Sequence, residues 1–161
     1  MRAWKITVLV VVGLMFGSIM GMACTPPPPG PDKADVIIAG QTEIVGNYEV
    51  WIYDDYMVVK FWIDSGWCLE DNHILVTKDM TDYVNKKWNP KIGKFPFEAE
   101  WDGDAYVCTI LKSEYPELWG TGALWIAIHV VVSDCCGSAS ETGWGYGEEE
   151  WGSSWGWYFD P

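Results

Sequence analysis

From residue 48 to residue 64, apolar side chains recur at every second position on both sides of Asp54 and Asp55. This is the period of a pleated strand with one buried face. With Asp54 and Asp55 as a two-residue turn, Ile52 lies opposite Met57, Val50 opposite Val59 and Tyr48 opposite Phe61, all on one side. The other side sets Tyr53 against Tyr56, Trp51 against Val58 and Glu49 against Lys60. A slip of one residue destroys both the apolar row and the charge pair, so the pattern predicts a β-hairpin in this one register.

The same reading carries along the chain. Residues 35–46 form one or two short strands interrupted at Gly40. After a turn at Ser65 and Gly66, residues 68–78 alternate, with Leu69, Asp71, His73 and Leu75 on one side and Glu70, Asn72, Ile74 and Val76 on the other. Residues 79–93 read as a long connection with room for one helical turn, closed by Asn89 and Pro90. An acidic piece (98–104), a strand (105–111) and a loop containing Pro116 follow. Residues 123–133 are nearly continuous in apolar side chains and predict a central strand covered on both faces. No amphipathic helix of useful length appears. Seven to eight short strands separated by turn signals predict an all-β fold, an antiparallel β-sandwich.

The N-terminus follows a different pattern. Arg2 and Lys5 precede an apolar run from residue 6 to about residue 22, the layout of a secretory signal. The run ends Gly21-Met22-Ala23-Cys24 and gives way to Thr25 and a proline cluster. This resembles a lipoprotein signal, in which the cysteine is acylated and becomes the mature N-terminus. Acylated Cys24 is the expectation; an uncleaved membrane helix and cleavage with release are the alternatives. Spanning a bilayer takes about 20 apolar residues, and this run is shorter and broken by Gly and Ser. The organisation expected is a signal peptide (1–23), a Pro-rich spacer with lipidated Cys24 (24–33) and a β-sandwich domain (34–161). The chain would be anchored to the cell membrane through lipid and face the extracytoplasmic side.

All 23 acidic residues follow Cys24, so losing Arg2 and Lys5 takes the net charge from −13 to −15. Such a surface repels nucleic acid and anionic head groups, so no nucleic-acid partner is expected. Beyond Cys24 there are four cysteines, Cys68, Cys108, Cys135 and Cys136, an even number suited to disulfides in an oxidising compartment. A vicinal bridge is strained, so Cys135 and Cys136 are each expected to reach a separate strand. A zinc site is the alternative, without CxxC spacing to support it.

Residues 141–161 are rich in Gly and Trp. Trp144, Trp151, Trp155 and Trp157 with Tyr158 and Phe159 carry too much apolar area to stay in water, and two uses follow. The rings can lie over the sheet and close the core, or Trp144, Trp151 and Trp155 can stay exposed as a stacking platform for a glycan or another envelope component. The order of landmarks resembles an uncharacterised family of exported bacterial and archaeal β-domains. They are Ala39-Gly40-Gln41, the Asp64–Trp67 turn with Glu70 and His73, Asn89-Pro90 with Gly93 and Phe95, the IAxHxVV stretch around His129, and the closing residues Glu141 to Phe159. The resemblance implies an exported domain and assigns no activity.

His73 and His129 are the only histidines, each in the middle of a different predicted strand. A buried neutral imidazole accounts for His129, which shares an apolar row with Trp125, Ala127 and Val131. The alternative is a divalent-cation site of His73 and His129 completed by Glu141 or Asp71, since imidazole with carboxylate suits zinc or copper. Glu98, Glu100, Asp102 and Asp104 alternate along one side of an extended segment, which suits calcium or a solvated hairpin end. No GxSxG, SxxK or HExxH motif is present, and catalytic residues are not assigned. The reading is a lipid-anchored binding or cell-envelope structural module, carbohydrate-binding through exposed tryptophans; the alternative is a metal-dependent hydrolase or other metalloprotein using His73 and His129.

Overall fold

The computed structural model describes residues 29–137 and 139–161. The apolar N-terminal run, Cys24 and the first part of the spacer lie outside the described residues. The fold is all-β and antiparallel. Eight strands form one sheet: β1 (Lys33–Ala39), β2 (Glu43–Ile52), β3 (Tyr56–Ile63), β4 (Trp67–Thr77), β5 (Glu100–Trp101), β6 (Tyr106–Leu111), β7 (Trp125–Asp134) and β8 (Ser140–Gly145). Their order is β4-β7-β8-β1-β2-β3-β6-β5, and the sheet is curled into a half-barrel. A small hairpin of β9 (Glu149–Glu150) and β10 (Trp157–Tyr158) completes the strands. Among the described residues no helix is long and apolar enough to cross a membrane.

The β2–β3 hairpin has the register its alternation demands. Ile52, Val50 and Tyr48 pair with Met57, Val59 and Phe61, and Glu49 pairs with Lys60. β3 then pairs with β6, setting Met57 against Ile110 and Val59 against Cys108. These inner side chains meet Ile74 and Val76 of β4 and Ile126, Ile128, Val130 and Val132 of β7 in one buried cluster. The facing layers of the expected sandwich are therefore halves of a single continuous sheet. Phe159 closes this core: it exchanges backbone hydrogen bonds with Ile126 and stacks on Tyr48 at 5.1 Å.

A second core lies on the outer face. β7 is apolar on both sides because Ala127, with Leu75 of β4 and Trp144 of β8, is covered by Met80, Val84, Phe95, Trp151 and Tyr158. The connection after β4 and the C-terminal hairpin thus form a lid over β4, β7 and β8. Within that connection residues 80–83 form one turn, and Ile92–Lys94 form a 3-10 turn.

Two details depart from simple alternation. The β4–β7 register shifts between Leu69 and Asp71, so Leu69 sits opposite Val132 on the inner side while Asp71 sits opposite Val131 on the outer side. The extra residue of a β-bulge, Glu70, separates Leu69 from the row of Asp71, His73 and Leu75 to which strict alternation assigns it. The second detail is how the sheet's edges meet. Ile74 and Phe97 exchange backbone hydrogen bonds, and the Asn72 side chain takes both the N–H and the carbonyl of Ala99 at 2.7 and 3.1 Å. Two residues later Trp101 pairs with Tyr106 of β6. Residues 97–101 therefore stitch β4 to β6, covering edges that would otherwise offer unpaired backbone.

Candidate functional site

His73, His129 and Trp144 occupy one cross-strand row on the outer face, since His73 pairs with His129 and His129 with Trp144. The two imidazoles stack with centroids 5.9 Å apart, and His129 meets the Trp144 indole edge-on at 4.8 Å. His129 is buried, and its Nδ1 has no hydrogen-bond partner among the described residues. Burial pushes its pKa down to about 4, and the neighbouring His73 pushes the same way while Asp71 opposes. It is a neutral imidazole at pH 7. His73 is the wetter ring, with Nε2 3.1 Å from Asp71 Oδ2 and Nδ1 3.8 Å from Glu98 Oε1.

One of the predicted cation ligands, Glu141, lies apart from the histidines. Glu141 pairs with Val132, an inner-face residue, and lies an odd number of positions from Trp144, so it belongs to the face opposite the histidines. No three His, Cys, Asp or Glu side chains among the described residues are arranged to hold a metal ion. Of the expected set, completed by Glu141 or Asp71, His73 and His129 lie side by side with Asp71 at one end, and Glu141 lies on the other face. The acidic alternation disperses as well: Glu98 faces His73, Glu100 pairs with Val107, and Asp104 sits 3.6 Å from Lys60.

The predicted tryptophan platform is also corrected. Trp144 and Trp151 are each 2% exposed, and the indoles pack against each other at 5.8 Å and against Phe95. Gly156 makes this possible: its φ is +122°, and a Cβ there would come within 2.7 Å of the Trp144 indole. Trp155 is half-buried and lines a shallow groove with Gln41, Pro90, Ile92, Thr142 and Ser154. Of the predicted platform, Trp144 and Trp151 are core.

Among the described residues the cysteines give one bridge and two thiols. Cys68, near the start of β4, bonds Cys135, just past the end of β7, with Cα atoms 5.1 Å apart. Cys108 and Cys136, expected to contribute a second bridge, are both free. Cys108 faces the inner core opposite Val59, while Cys136 is exposed in the turn. Burial raises the Cys108 thiol to about 11.

A different aromatic site lies at the end of the half-barrel where β3 stops and β4 begins. Trp62, Trp67, Trp101 and Tyr106 line an open cleft of about 340 Å³ together with Leu69 and Asp104. Trp101 is 60% exposed and meets Tyr106 edge-on at 5.1 Å. Lys60 lies over the Trp62 ring at 4.9 Å while reaching Asp104, so a cation and a carboxylate sit beside the indoles. Sequence reasoning did not bring these residues together because they come from three separate segments. The available signals were Trp62 on the wetter side of the hairpin and Trp101 embedded among four carboxylates. The chain matches no family model, no curated protein and no solved structure.

Proposed function

We propose that the protein is an extracytoplasmic binding module, held at the membrane by acylated Cys24, that captures a glycan strand in the cleft of Trp62, Trp67, Trp101 and Tyr106. The observation that carries this reading is the composition of the cleft. Indole faces offer flat apolar surface to the C–H side of a pyranose, while Asp104 and Lys60 supply an acceptor and donors for its hydroxyls. The resemblance to exported domains and the lipoprotein-like N-terminus agree with that location.

Titration with a panel of soluble oligosaccharides, covering β-glucan, chitin-type and peptidoglycan fragments, tests the reading by calorimetry and tryptophan emission. Trp101→Ala should weaken binding about tenfold, the equivalent of ~1.4 kcal/mol. Trp151→Phe, in the covered outer core, should leave affinity unchanged. Absence of binding across the panel, or equal affinity in the Trp101→Ala variant, would refute the proposal.

A further inference from the structure

Four of the eight lysines that follow Cys24 lie between residues 86 and 94: Lys86, Lys87, Lys91 and Lys94. In a domain carrying 23 carboxylates this clustering is conspicuous, and no ion pair forms there. Among the described residues, none of the four ammonium groups is within salt-bridge distance of a carboxylate; Lys91 instead donates to the backbone carbonyl of Asp82. Trp88, in their midst, is 42% exposed with φ at +61°. A bulky residue rarely adopts that left-handed conformation, and it persists only where the surroundings enforce it.

They do enforce it here. Asn85 Oδ1 accepts from the N–H of Lys87 and of Asn89, and Trp88 N–H donates to the Asn85 carbonyl. Gly152 N–H donates to the Trp88 carbonyl, while Asn89 Oδ1 takes Ser153 N–H and Ser154 N–H. The approach is so close that a Cβ on Gly152 would sit 2.0 Å from the Lys87 carbonyl oxygen. The loop is therefore locked to the C-terminal segment, and the Trp88 indole, its Nε1 donating to Tyr158 Oη at 3.4 Å, keeps one side of the ring in solvent. Lys86 and Lys91 line one open groove with Trp88, Thr81, Val84 and Asn85.

We propose that this face docks on an anionic phospholipid bilayer. The Trp88 indole would sit at headgroup depth, with Lys86 and Lys91 against lipid phosphates. Tryptophan favours the boundary between apolar and hydrated layers, and lysines near an anionic leaflet are attracted within about a Debye length. An extended anionic surface fits better than a small anion, because the groove is open and the ammonium groups end flexible stems. The net charge of −15 acts as an orienting term: it keeps the other faces away from the same leaflet and leaves this one to approach. The surface shares no residue with the tryptophan cleft, and the inference does not rest on glycan binding or on acylation.

The test is bromolipid quenching of the full chain on vesicles of phosphatidylcholine with and without phosphatidylglycerol. On anionic vesicles the parent should show quenching that is lost in Trp88→Phe, lost in Lys86→Glu/Lys91→Glu and relieved by salt. The lysine variant changes only side chains outside the core, so it tests the surface without touching the locked turn. Quenching equal in parent and Trp88→Phe would leave the N-terminus as the only membrane contact and overturn the proposal. So would a Trp88-dependent signal of equal size on neutral lipid, or Trp88 protection by a soluble polyanion but not by vesicles.

Discussion

Lowering the pH should weaken the fold through a single buried imidazole. His129 has its pKa depressed from 6.5 to about 4 because the ring is sealed beneath Trp144 beside His73. The folded state therefore binds this proton less readily than the unfolded chain. The neutral ring's contribution is complete above pH 6.5 and is lost as the pH falls from about 6.5 to about 4. Taking those two pKa values, the loss is about 2 kcal/mol at pH 5 and about 3 kcal/mol once both states are protonated. Urea unfolding at fixed ionic strength between pH 7.5 and pH 5 reads it as a falling midpoint at constant slope. Staying above pH 5 keeps Asp79 and Glu148 out of the window, since both carboxyls are held below their usual range, Asp79 by Thr81 and Glu148 by Lys33. In His129→Gln the parent's pH dependence should flatten, whatever the variant's absolute stability. A parent whose stability does not change over this range, or a His129→Gln variant with the same slope, would refute the reasoning.

Four further outcomes check the packing. Gly156→Ala should cost roughly 2–4 kcal/mol, since it combines a left-handed φ with a Cβ 2.7 Å from the Trp144 indole; thermal unfolding measures it. Asn72→Leu leaves both backbone groups of Ala99 unpaired in the interior and should cost about 2–5 kcal/mol, with amide exchange accelerated first at residues 97–101. Cys68→Ser should cost about 4 kcal/mol, because the bridge closes a loop of 67 residues. In the folded parent iodoacetamide should alkylate Cys136 and spare Cys108, as peptide mass mapping would show.

What the sequence discloses is what recurs along it. The β2–β3 register was legible because one pairing satisfies both an apolar row and the Glu49–Lys60 pair. The two-sided cover of β7 was legible because its apolar run leaves no face for water. Neither the bulge at Glu70 nor the clamp of Asn72 on Ala99 has a period. A bulge is one residue out of step, and the clamp is a side chain doing the work of backbone, so strict alternation misplaces Leu69 and leaves residues 97–101 as a mere acidic piece. The cysteine pairing was hidden for a related reason, since it depends on which strand ends lie side by side. Cys68 pairs with Cys135 because β4 and β7 are sheet neighbours, while Cys108 points into the inner core.

The division of the tryptophans follows from the same geometry. A curled sheet fills its inner face with its own opposite half, but an outer face needs a separate cover, and the described residues build one over β4, β7 and β8. Trp151 is spent on that cover and Trp144 lies beneath it, which is why residues following a strand apolar on both sides were poor candidates for an exposed platform. Over β2, β3 and β6 the described residues form no such lid, and the outer rows there are accordingly mixed, with Glu49, Trp51, Lys60 and Trp62 half-buried and Thr109 exposed. Trp51 and Trp62 along that uncovered half have neither a lid above them nor a core to enter, while Trp101, paired with Tyr106 in the row of Phe61, stands exposed at the open end of the inner face. Their large apolar surface stays partly in water at a measurable hydrophobic cost, about 25 cal/mol for each Å² left exposed, which a stacked ligand would recover.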